Sequence, residues 1–167
     1  MTRRSLVIAA VVLASFVASG MAVGDDFEDC GRAAVAEDWQ AAVGPCSRLA
    51  EQGVAPAQDT VAWMHHHGLS VPQNDLKAVE WWTKAAEQGF ALAHMRLGYL
   101  HWSGHGVPKD SRMAYYHINL AAALATEPEM RDSFTDLRDS AAKELTPQEI
   151  AEAQRMSSEW QEKFKAR

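Results

Sequence analysis

The sequence predicts an all-α protein: a short α/α solenoid of helical hairpins, closed by a C-terminal pair of capping helices. Three observations predict it. Residues 54–89 written above residues 90–125 give nine identities in 36 positions without a gap, and a fixed period of this length marks a solenoid. Within each copy, apolar residues recur at spacings of three and four, which is one face of a helix. Glycine and proline return at the same offsets, Gly68 with Pro72 and Gly104 with Pro108, where one helix must stop before the next begins.

Composition agrees. The chain has 167 residues, 47% apolar, with 16 Lys+Arg against 22 Asp+Glu. That apolar fraction excludes a disordered chain. Two cysteines cannot build a disulfide-dense mini-scaffold or a four-thiolate zinc site. The acidic balance argues against nucleic acid as a partner, because counterion release needs a basic face.

Residues 1–24 read as a secretory signal peptide. Arg3 and Arg4 precede a 12-residue apolar run, residues 6–17, and Ala22-Val23-Gly24 offers a small-x-small cleavage site. A membrane span needs about 20 residues, so no stable membrane insertion is expected after cleavage. The double arginine also admits a twin-arginine signal. Cleavage removes two arginines and no acids, taking the formal charge from −6 to −8. Export to the periplasm or beyond places the chain in an oxidising compartment. There Cys30 and Cys46 are expected to pair, closing a loop worth roughly 3 kcal/mol. The alternative is two buried thiols.

The repeat array is expected over residues 25–125. Residues 25–53 form a partial copy: Ala42, Ala50, Glu51, Gln52 and Gly53 stand one period before Ala78, Ala86, Glu87, Gln88 and Gly89. Residues 27–36 supply its degenerate first helix. Residues 54–89 and 90–125 are full copies, each a hairpin. In the last, the first helix spans 91–102, with Ala93, Leu97, Leu100 and His101 on its inward face. Asp110, and Asn74 one period earlier, are N-caps for the second helices. Ala78, Trp82, Ala85 and Ala86 form an inward face that Gly89 terminates. Residues 126–167 do not repeat. Phe134, Leu137, Ala141 and Leu145 make one helical stripe. Thr146-Pro147-Gln148-Glu149 is a capping box that starts another. Such helices shield the apolar end of a solenoid.

The motifs Ala91-Leu92-Ala93, Leu97-Gly98-Tyr99-Leu100, Gly104-His105-Gly106-Val107-Pro108-Lys109-Asp110 and Trp81-Trp82-Thr83-Lys84-Ala85-Ala86-Glu87-Gln88-Gly89 resemble the Sel1-like repeat, a family of α/α solenoids related to tetratricopeptide arrays. The resemblance covers about residues 38–125. His65 and His101 occupy what is usually a tyrosine position. Leu69-Ser70 stands in place of a second glycine, and His117-Ile118 where the earlier copy has Trp81-Trp82.

The resemblance implies a non-enzymatic interaction module of the bacterial envelope, binding another protein or a peptide on a concave helical surface. In related solenoids the first helix of each hairpin lines that surface. Trp63 and Tyr99 lie there one repeat apart, with His94, Arg96 and Trp102 nearby, and these five are the candidate contacts. Aromatics and arginine commonly anchor interfaces. Packing against the neighbouring hairpin is the alternative role for the two aromatics. The acidic charge favours a basic partner. No cofactor is expected, and oligomeric state is left open.

Two other readings remain. The histidines could bind a metal. However, His65, His66 and His67 are consecutive and point apart, and Gly104 separates His101 from His105. Core filling is expected for His65 and His101, and solvated turn positions for His66, His67 and His105; no metal site is expected. Ser140-x-x-Lys143 matches a penicillin-binding pattern, and exported relatives have been linked to β-lactam binding. This supports a cell-wall enzyme or β-lactam-binding factor as a second alternative. The partner motifs Ser-Asp-Asn and Lys-Thr-Gly are absent, so no catalytic residue is expected.

Overall fold

The computed structural model describes residues 25–167, and the regular elements among them are eight α-helices. Residues 1–24, expected to be a signal peptide, lie outside the described residues. None of the described helices is long and apolar enough to cross a membrane. The described residues divide into two compact units, one ending at Ala85 and the other running from Ala86 to Arg167.

The first unit holds α1 (Asp25–Val35), α2 (Trp39–Glu51), α3 (Ala55–His67) and most of α4 (Asp75–Glu87). The degenerate first helix expected at 27–36 is therefore α1. Asp38 starts α2 by accepting a hydrogen bond from the Ala41 amide at 3.1 Å. Cys30 and Cys46 are joined, as expected, and both are fully buried between α1 and α2. Around them pack Ala33, Ala42, Leu49, Ala50, Val54, Ala57 and Val61, flanked by Phe27, Trp39 and Trp81. At the rim, Arg48 of α2 holds Asp26 of α1 through two donors, which lowers the Asp26 pKa.

Helix α3 is buried on nearly every side, so its polar residues need partners. Gln58 donates to the Ala50 carbonyl at 3.2 Å, and Thr60 to the Pro56 carbonyl at 3.0 Å. The Trp82 indole N–H donates to Asp59 Oδ1 at 2.8 Å. The inward face assigned to Ala78, Trp82, Ala85 and Ala86 is buried at all four positions.

The second unit continues from Ala86 through α5 (Ala91–Ser103), α6 (Ser111–Leu124), α7 (Pro128–Ala142) and α8 (Pro147–Lys165). Helices α7 and α8 both pack on α6. Tyr115, Ile118, Ala141 and Ala153 form the centre of that packing, with Leu137, Leu145 and Ile150 around them. The capping box is formed: Thr146 accepts from the Glu149 amide, and Glu149 accepts from the Thr146 amide at 2.8 Å.

The two hairpin turns are built alike. Gly68 and Gly104 end their helices in the left-handed region, at φ 66° and 78°. The Asn74 and Asp110 amides each reach back to a histidine carbonyl, of His65 and His101, at 2.8 Å. The Asn74 and Asp110 side chains then cap the following helices. Ser70 and Gly106 share the remaining left-handed position, at φ 58° and 72°. Serine thus occupies a conformation that glycine adopts without steric cost.

Candidate functional site

Helix α5 carries four of the five candidate contacts, and its geometry sorts them. At about 100° per residue, Arg96, Tyr99 and Trp102 fall within one third of the circumference. Tyr99 is 45% exposed, while Leu92, Ala93, Leu97, Gly98 and Leu100 around it are buried. Trp102 is partly exposed. Its indole N–H is held by Glu144 Oε1 at 2.9 Å, and the other Glu144 oxygen accepts from Ser111 at 2.8 Å. Those two bonds, with Lys109 at 3.9 Å, lower the Glu144 pKa. Arg96 is half-buried, with its Nε enclosed.

His94 does not share that face. It lies about 140° round the helix from Tyr99 and is 2% exposed. Its place as a surface contact is therefore corrected: the side chain belongs to the interior. The helical period already contained this, because His94, Leu97 and His101 recur at i, i+3 and i+7 on the inward stripe.

There His94 meets two more imidazoles. Its Nδ1 lies 3.1 Å from Nδ1 of His117 on α6. The rings of His101 and His117 stack, with centroids 5.5 Å apart and planes at 12°. Trp160 of α8 meets the His94 ring edge-on at 5.0 Å. Burial pushes the His94 pKa down to about 4, against a smaller opposing pull from the Ala86 carbonyl. Burial also takes His117 well below the usual imidazole range, and the neighbouring histidines add to it. The His101 pKa is lowered by burial too, with Asp110 and the Pro108 carbonyl opposing.

In the first unit, Trp63 is partly exposed, and its ring packs on His67 at 3.9 Å. His66 departs from the solvated turn position expected of it. It is largely covered, bonds Asp75 at 2.7 Å and packs 5.6 Å from Trp82. His65 Nδ1 faces the Pro72 carbonyl at 3.4 Å, the counterpart of His101 beside Pro108. Among the described residues, no group of three His, Cys, Asp or Glu side chains is arranged to hold a metal ion. Ser140 donates its hydroxyl to the Asp136 carbonyl of its own helix at 3.0 Å, and Lys143 is the exposed cap of α7. The Ser-x-x-Lys pair is thus a helix-end pairing on the surface.

Two of these features were missed in the sequence. Contact between His94 and His117 depends on the register of α5 against α6, which the local pattern does not carry. Leu76, 66% exposed at the start of α4, was also passed over, and a single exposed leucine is ordinary.

The family model of the Sel1 repeat matches residues 55–90 and 91–125. Among solved structures, the chain is similar to a protective antigen of uropathogenic Escherichia coli strains that displays an SLR fold. The TM-score is 0.68 at 23% identity, over 96% of this chain and 30% of that one. A Sel1 repeat protein from Oxalobacter formigenes superposes with a TM-score of 0.55 at 24% identity, over 81% of this chain and 99% of that one. No curated protein matches the sequence.

Proposed function

Because residues 55–90 and 91–125 are two Sel1 repeats, we propose that the chain is a non-enzymatic interaction module that binds a protein or peptide. Tyr99 carries the reading. It is a large aromatic left in water on a helix whose other face is core. Arg96 and Trp102 flank it at i−3 and i+3, and aromatics with arginine are the usual anchors of recognition. Trp102 is already oriented by Glu144, so little side-chain freedom is lost when a partner covers it. Trp63, at the same place in the preceding repeat, is a second contact candidate on its own unit.

The binding site works in the bacterial envelope. The Cys30–Cys46 bond supports this, since such bonds persist in oxidising compartments. The excess of acidic side chains favours a basic partner and speeds its approach at low salt.

The test is photo-crosslinking in intact cells from position 99, with position 163 on α8 as the exposed control. One envelope protein captured at 99 and absent at 163 is the expected result. Tyr99→Ala should weaken that binding at least tenfold while leaving the melting temperature within a few degrees, because nearly half of the residue lies in water. Identical products at both positions, or binding untouched by Tyr99→Ala, would remove this face from the reading.

A further inference from the structure

The imidazole cluster of the second unit has no part in the binding face and sits where α5, α6 and α8 converge. We propose that His94, His101 and His117 form an acid-operated latch, whose protonation loosens α8 from α5 and α6.

The geometry carries the first half of the argument. His94 and His117 approach nitrogen to nitrogen at 3.1 Å. One proton between them makes a hydrogen bond; a second, on the accepting nitrogen, would charge that ring and set two N–H donors face to face. His101 stacks on His117 as well, so a charge on either neighbour disfavours a charge on His117. The groups around the cluster offer little compensation. From α4 comes the Ala86 carbonyl. From the turn before α6 come Asp110 and the Pro108 carbonyl, both directed at His101. Helix α6 adds Tyr116, whose ring meets His117 at 4.8 Å and whose pKa is raised by burial, so it stays a neutral phenol. Helix α8 presents the indole of Trp160.

The second half concerns what the cluster holds. Trp160 rests on His94 and stacks on Phe164 at 4.8 Å. Phe164 in turn covers Gly89 so closely that a Cβ there would lie 2.6 Å from its ring. Arg167 then reaches the Glu87 carbonyl at 3.2 Å. The C-terminal half of α8 is thus seated through a chain of rings that begins at His94.

The sign follows from linkage. Burial leaves all three imidazoles with folded pKa values below 6.5, so the unfolded or opened chain takes up protons first. Stability contributed by the neutral cluster is complete above about pH 6.5 and falls as the pH drops toward about 4. The hydrogen-bonded carboxylates of this unit, Glu144 and Glu149, have pKa values lowered from 4.5. They hold their charge through the upper part of that window.

The repeat itself supplies the control. One period before His94 stands Gln58, which donates to the Ala50 carbonyl as His94 faces that of Ala86. His94→Gln is therefore a substitution this fold already accommodates, and it does not titrate. The experiment is hydrogen exchange by mass spectrometry on residues 25–167 from pH 7.5 to 5.0, corrected for intrinsic rates. Protection in residues 147–165 should fall at least tenfold between pH 6.5 and 5.0 in the native sequence, while α1 to α3 hold theirs. His94→Gln should abolish most of that loss. Unchanged α8 protection at pH 5.0, or the same loss in His94→Gln and in His94→Gln/His117→Asn, would overturn the latch. If the variants do not fold, proton NMR of the native imidazoles decides. Titration of His94 and His117 near pH 6.5 with α8 still protected would overturn it as well.

Discussion

Ser70 and Gly106 make a matched experiment at the scale of one residue. They hold the same left-handed position in two turns that are otherwise bonded alike. A side chain in that region costs about 1–2 kcal/mol. Glycine recovers it but brings more freedom to the unfolded chain, an offset of about 0.4–1 kcal/mol. Ser70→Gly should therefore stabilise the first unit by up to about 1 kcal/mol. Gly106→Ser should destabilise the second by about the same amount. Denaturant unfolding with an unchanged m-value measures both. The sequence showed the departure at Ser70, and the backbone angle explains why it is tolerated. His94 teaches the converse. Its chemistry suggested surface recognition, whereas its angular position on α5 put it inside.

The helices themselves were legible because each carries its own start and stop signals. Helix α8 is the clearest case: Thr146, Pro147 and Glu149 fix its first turn before any tertiary contact is made. Thr146→Ala should cost about 1 kcal/mol, as the loss of an N-cap does. In a chain of this size that lowers the melting temperature by about 2–4 °C. An unchanged melting curve would mean that packing on α6 alone determines where the helix begins. The same local logic ended α3 and α5 at their glycines and began α6 at Asp110. Packing partners were less legible. That α7 and α8 both pack on α6 follows from apolar stripes that specify a buried face and leave its partner open.

For the molecule as a whole, the two units rest on different chemistry. The first is tied by Cys30–Cys46 across a separation of 16 residues. Opening a loop of that size removes roughly 3 kcal/mol. The second is seated around neutral imidazoles. Reductant at pH 7.5 should therefore raise hydrogen exchange in residues 25–51 and spare α8, whereas acid without reductant should do the reverse. Exchange rising across both units under either treatment would mean that they unfold as one. The boundary at Ala85 and Ala86 falls within a repeat and inside α4. Helices α7 and α8 pack on the last repeat and share its unit.

By itself the sequence determined the all-α class, the period of 36, the turn positions, the caps and the pairing of its two cysteines. All but the last are properties of neighbours along the chain, set by backbone sterics and helical spacing. The pairing followed from there being two thiols in an expected oxidising setting. Tertiary structure alone decided which aromatic stays in water and which imidazoles meet. Tyr99 and His94 sit on one short helix and differ only in the direction they face. What each face meets is fixed by the register between helices, which depends on the packed volume of side chains contributed by α5, α6 and α8 together.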